Sequence, residues 1–160
     1  MNIKTIWVLT IIAFGFPSVN WAEETKAELV IFKEASDKWT LLKKGRTCED
    51  IFIIKKGKNA ADLRLMNNYF CEGEYTLTLD GPPGTTVTLY GQFFFEDDLG
   101  SLTLTKTDDR QVWIWDLEDF PDRKWVVAGA NRSTGGYEVY YRSAPNFKMH
   151  LGSVKWGEIP

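Results

Sequence analysis

Histidine is almost missing from this chain, and cysteine nearly so. His150, Cys48 and Cys71 are the only residues of these two types among 160. A structural zinc site takes four ligands from Cys and His, so this supply leaves zinc without a ligand set. No nucleophile pattern accompanies His150, which reads as a solvated loop histidine rather than a general base. An excess of positive charge is missing too. The 19 Lys and Arg stand against 22 Asp and Glu, for a formal net charge of −3. No basic field is available to hold a nucleic-acid backbone or an anionic membrane, and nucleic acid is not expected as a partner. Helical periodicity is absent almost everywhere. So is an apolar run of the ~20 residues that a membrane-spanning helix needs, and no stable membrane anchor is expected.

The first apolar run, residues 6–16, is broken only by Thr10 and Gly15 and follows Lys4. With a small residue for cleavage at Ala22, residues 1–22 read as a secretory signal peptide. The alternative, an uncleaved anchor, is opposed by the shortness of the run. Residues 23–160 then form a single domain, secreted or periplasmic. In an oxidising compartment two thiols of a small β protein usually pair, so a Cys48–Cys71 disulfide is expected, with two buried free thiols as the alternative. Asn131-Arg132-Ser133 is a glycosylation acceptor in a predicted loop.

What the chain does have is apolar and aromatic content, 44% and 14% of residues, enough for a real core. It is laid out in short β-branched or alternating runs at 28–32, 51–54, 62–66, 74–79, 86–90, 101–106, 111–117, 124–128, 137–141 and 152–156. Turn clusters separate them, notably Lys55-Lys56-Gly57-Lys58-Asn59 and Asp80-Gly81-Pro82-Pro83-Gly84. The predicted class is all-β. Several positions keep their apolar type at an offset of 50: Phe52 and Leu102, Ile54 and Leu104, Leu63 and Trp113, Leu65 and Trp115, Tyr75 and Trp125. Two tandem four-strand units of about 50 residues follow from that offset, with strands a to d at 29–32, 51–54, 62–66 and 74–79, then at 86–90, 101–105, 112–117 and 124–128. A further a–b pair trails at 137–141 and 153–156. A repeated four-strand unit predicts a Greek-key β-sandwich.

Val87-Thr88-Leu89-Tyr90 followed by Phe95 and Gly100, and Gly136-Tyr137-Glu138-Val139-Tyr140-Tyr141 followed by Pro145-Asn146-Phe147, resemble the start of the βγ-crystallin Greek-key unit. The resemblance runs from about residue 28 to residue 156 and rests on spacing and residue class. It implies a two-sheet Greek-key sandwich. The family's characteristic serine is absent from the d strands as drawn. The family's calcium signature has its counterpart between strands c and d at Asn67 and Asn68, and at Glu118 and Asp119 with Asp122, without the serines. Calcium is therefore the one cofactor the resemblance raises. It competes with the simpler reading that these are turn residues bonding local backbone.

Trp113 and Trp115 share one face of their strand and invite stacking on a sugar ring, yet their offset partners Leu63 and Leu65 place that face in the core. The acidic clusters 96–98 and 116–122 read as turns rather than as a catalytic carboxylate pair. No catalytic motif emerges. The expected function is that of an exported, non-enzymatic βγ-crystallin-like structural or binding module acting on a protein or glycan partner. The alternatives are a secreted enzyme inhibitor presenting loop 129–136 or loop 80–84, and a carbohydrate-binding module.

Overall fold

A computed structural model describes residues 26–34 and 48–157. The expected signal peptide at 1–22 lies outside the described residues, as does Trp39-Thr40-Leu41-Leu42, which the sequence offers as a short strand or extended turn. Among the described residues nine strands form: β1 (Glu28–Glu34), β2 (Asp50–Lys55), β3 (Glu74–Asp80), β4 (Thr86–Tyr90), β5 (Ser101–Lys106), β6 (Val112–Ile114), β7 (Trp125–Ala128), β8 (Tyr137–Arg142) and β9 (Ser153–Trp156). The rest is turns, loops and three short 3-10 turns. The all-β class is as expected.

The strands make two antiparallel sheets, a four-stranded one of order β2-β1-β3-β6 and a five-stranded one of order β7-β8-β5-β4-β9. Between them lies one core. Leu29, Ile31, Ile54, Leu77, Leu79, Val112 and Ile114 come from the first sheet, and Val87, Leu89, Leu102, Leu104, Val139, Tyr141 and Val154 from the second. Each set follows the period of two that sends alternate side chains inward. Leu102 and Leu104 are core, as their alternation predicts.

Two lysines also point inward and are buried, Lys33 and Lys106. The Lys33 ammonium donates to the Tyr69 carbonyl and lies over the rings of Tyr69 and Tyr75, 5.4 and 4.8 Å from their centroids. The Lys106 ammonium donates to the carbonyls of Arg110 and Leu79. Each stem fills the end of the sandwich while the head finds carbonyl oxygens. Desolvation lowers both amine pKa values, against the pull of Asp50 at Lys33 and of Asp80, Asp108 and Asp109 at Lys106.

Two expectations are corrected. Residues 62–66 are not a strand: Leu63–Leu65 is a 3-10 turn. Asp62 starts it by accepting the Arg64 amide at 2.9 Å and gripping the Arg64 guanidinium, so a short polar side chain takes the backbone donor that a ladder would need. In the turn Leu63 is fully buried and Leu65 is 80% exposed. Second, the offset of 50 does not relate like to like. It matches this turn with β6, and it matches β3, an interior strand of one sheet, with β7, an edge strand of the other.

Candidate binding face

The outer face of the four-stranded sheet is apolar. Because Leu29, Ile31 and Ile54 point inward, the intervening Val30, Phe32, Ile51 and Ile53 point out, and the register sets Val30 beside Ile53 and Phe32 beside Ile51. Across β3 the same rows continue through Thr78 and Thr76, with Thr78 beside Trp113. Ile51 is 60% exposed, Ile53 54% and Trp115 65%. Phe32, Trp113 and Trp115 form a run of near-parallel rings, with centroids 5.9 and 5.0 Å apart and interplanar angles of 11° and 18°. The Trp113 indole N–H donates to the Gln111 side-chain oxygen at 3.1 Å, which fixes the ring at the rim.

The placement of both tryptophans corrects the expectation that they are core. On β6 the inward positions belong to Val112 and Ile114, so strand parity sends Trp113 outward, and Trp115, in the bend just past the strand, stacks on it and is exposed. Their offset partners Leu63 and Leu65 sit in a 3-10 turn, where that parity does not apply.

Among the described residues the charge around the face is mainly acidic. The outward positions of β1 and β3 carry Glu28, Glu34, Glu74 and Asp80, and β2 contributes Lys55 at its end. Glu74 and Asp116 share the ammonium of Lys148 at 3.3 and 3.6 Å. The hydrogen bond to Glu74, followed by the field of Asp116, raises the pKa of Lys148.

The residues singled out for calcium stand elsewhere, and most are engaged. Asn67 is exposed. Asn68 donates its backbone amide to Asp50 at 3.1 Å and its side-chain amide to the Glu49 carbonyl at 2.8 Å, which ties the loop before β3 to the start of β2. Glu118 accepts the Lys148 amide at 3.3 Å, and its own amide donates to Asp116 at 2.9 Å. The exposed Asp119 closes the same turn, with its amide 3.5 Å from the Asp116 carbonyl. Asp122 accepts the Ser143 amide at 2.8 Å, which with a side-chain bond to Ser143 holds its carboxyl below the usual range. Among the described residues no three His, Cys, Asp or Glu side chains gather as a metal-ion site. These are the Asx and cross-loop bonds of turns.

Cys48 and Cys71 form a disulfide with Cα atoms 5.8 Å apart, as expected. No helix among the described residues is long and apolar enough to cross a membrane. At the tip of the β7–β8 hairpin, Asn131 accepts the Ser133 and Thr134 amides at 2.8 and 3.2 Å and donates its own amide to the Thr134 carbonyl, a closed turn with Arg132 exposed. His150 is exposed.

Sequence reasoning missed the half of the face carried by β1 and β2, Val30, Phe32, Ile51 and Ile53. A signal was present: 29–32 and 51–54 are apolar at every position, whereas an antiparallel strand with one wet side alternates. Compared with known protein families, curated proteins and solved structures, the chain has no match.

Proposed function

We propose that the chain is an exported, non-enzymatic binding module of the βγ-crystallin-like Greek-key type, and that its working surface is the outer face of the four-stranded sheet. The observation that carries this reading is the apolar row in which exposed Ile51, Ile53 and Trp115 are joined by the half-buried rings of Phe32 and Trp113. Folding gains little from apolar side chains left in water, and contiguous patches of this kind mark interaction sites. Export is supported by the pattern of residues 1–22 and by the disulfide, which belongs to oxidising compartments.

The Greek-key part is supported by an interchange between the halves of the chain. Take β1, β2 and β3 as the a, b and d strands of one unit and β4, β5 and β9 as those of the next. The c position of each unit then falls in the other's sheet, since β6 pairs with β3 and Ala60 bridges to Val154 of β9. The β7–β8 hairpin extends the second sheet beyond β5 as an insertion. With β9 as a d strand, Ser153 supplies the serine that residues 124–128 lack. Its hydroxyl donates to the Gln92 carbonyl at 2.7 Å and accepts the Phe95 amide at 2.9 Å, pinning the β4–β5 loop. A second reading, glycan binding at the same face, is favoured by the 65% exposure of Trp115.

Tryptophan fluorescence tests the surface. A ligand on this face shields Trp115 from acrylamide, and Ile51→Asp with Ile53→Asp, which keeps Trp115 as the reporter, abolishes the shielding while leaving thermal unfolding cooperative. The ligands are cellohexaose, chitohexaose and the peptides described below. Equal binding of every ligand by the native chain and the double variant would show that the face is not the working surface.

A further inference from the structure

We infer that the partner of the four-stranded sheet's outer face is a polypeptide segment with an apolar stripe flanked by Lys or Arg, an inference that rests on that face being the working surface. Three observations carry it.

The first is charge. Around the apolar centre the outward strand positions place Glu28, Glu34, Glu74 and Asp80 against Lys55 and against Lys148, which is shared by Glu74 and Asp116, so the described rim stays acidic, with Glu28, Glu34 and Asp80 as its main open carboxylates. A partner that desolvates this rim must bring positive charge, and complementarity of this kind sets both orientation and on-rate. The same rim opposes pairing of two copies of this face, because like carboxylates would meet across the interface.

The second is size. Four strands spaced ~4.8 Å apart and five residues of ~3.4 Å give a face of about 330 Å². That footprint, about 17 by 19 Å, has room for one helix of about 10–12 Å diameter, or for a strand laid along it. A segment of that kind binds through a few anchors, and Trp115, Ile51 and Ile53 are the side chains with surface left to bury.

The third is ring geometry. A sugar stacks on an open ring face, but Phe32, Trp113 and Trp115 are stacked on one another at 11° and 18°. Ring area of Phe32 and Trp113 is therefore turned toward neighbouring rings, which leaves Trp115 alone with open area, and the surface beside the stack is the aliphatic Val30, Ile51 and Ile53, which offers no hydrogen bond to a hydroxyl. Apolar peptide side chains meet that surface without leaving a polar group unpaired.

The test titrates the full chain with two synthetic 18-residue amphipathic peptides, one of Leu and Lys and one of Leu and Glu, and with cellohexaose and chitohexaose. Hydrogen–deuterium exchange maps the protected strands. The Leu–Lys peptide is expected to bind at least tenfold tighter than the Leu–Glu peptide, to weaken as salt is raised, and to protect β1, β2 and β6. Glu28→Gln with Asp80→Asn should weaken it severalfold, Ile53→Asp at least tenfold, and the off-face control Glu96→Gln with Asp98→Asn not at all. Three results overturn the inference. Equal binding of both peptides, or binding of neither, removes the charged-polypeptide partner. Binding of a hexasaccharide alone, lost with Trp115→Ser, replaces it with a glycan and keeps the face. Tight Leu–Lys binding that protects other strands and survives Ile53→Asp defeats the choice of face itself.

Discussion

Removal of the disulfide has a magnitude that follows from where it sits in the chain. Cys48 and Cys71 are separated by 23 residues. Opening a loop of that length frees chain entropy in the unfolded state of about 11 cal/mol/K, or about 3.4 kcal/mol at 25 °C. Cys48 is also buried, and its sulfur lies 3.1 Å from where a Cβ on Gly73 would stand, so truncation to Ala adds on the order of 1 kcal/mol of lost packing. The double variant Cys48→Ala, Cys71→Ala should therefore lose about 3–4.5 kcal/mol of unfolding free energy. For a domain with a total of about 5–15 kcal/mol that is a large fraction, corresponding to about 10–15 °C in Tm. Urea unfolding followed by fluorescence measures it, with native protein treated with reductant as the parallel case. The m-value should rise, because the cross-link keeps the unfolded chain compact. A loss below about 1 kcal/mol with an unchanged m-value would refute the reasoning, since the cross-link would then impose no constraint on the unfolded chain.

Three further outcomes are expected. Ser153→Ala leaves the Phe95 amide without its acceptor beside a loop whose Phe94 and Phe95 already hold left-handed φ of 57° and 68°, and should cost about 2 kcal/mol, with faster amide exchange at Phe95; a change below about 0.5 kcal/mol would count against it. Asp108 accepts the Gly136 and Arg110 amides, and these bonds, Gly136 first, lower its carboxyl pKa. Its contribution to stability is thus complete above the ordinary carboxylate pKa of about 4 and is lost as pH falls through the lowered folded value, so Asp108→Asn should flatten the acid limb of a stability–pH curve there. A Cβ on Gly91 would lie 1.9 Å from the Leu99 carbonyl oxygen, whereas one on Gly129 meets nothing within 4 Å; Gly91→Ala should prevent soluble expression or cost several kcal/mol, and Gly129→Ala should leave cooperative unfolding in place.

Strand positions were legible in the sequence because alternation is a local signal. The runs at 74–79, 86–90 and 101–106 match β3, β4 and β5 to within a residue at each end. Which sheet a strand joins is not local. The turn at 80–84 carries the chain out of one sheet and into the other, and nothing in the letters of β3 and β4 marks that they part company. The c-strand error at 62–66 has the same origin: Leu63-Arg64-Leu65 alternates like a strand, but the Asp62 cap decides the backbone. Once that segment is a turn, the offset pairing loses its anchor, and with it the inference that Trp113 and Trp115 are core.

The two outer faces show why the binding reading falls on one sheet. In the five-stranded sheet Thr86, Thr88, Thr103 and Thr105 alternate with buried Val87, Leu89, Leu102 and Leu104, and the hydroxyls pair across the strands at 2.9 and 3.1 Å. The centre of that face satisfies itself, and the apolar side chains this sheet leaves exposed, Trp125 and Val127, are confined to its edge strand β7. In the four-stranded sheet the corresponding positions of β1 and β2 are Val30, Phe32, Ile51 and Ile53, which have no such internal partners and gain from being covered. Full burial of an Ile side chain is worth about 1.5–3 kcal/mol, so Ile51 and Ile53, each more than half exposed, leave a few kcal/mol that only a second surface can supply. An acidic rim keeps such a face soluble and turns away copies of itself, and the same rim selects a basic occupant. The continuous apolar runs at 29–32 and 51–54 are therefore the part of the sequence in which the proposed function was already written, as a departure from the alternation that β4 and β5 keep.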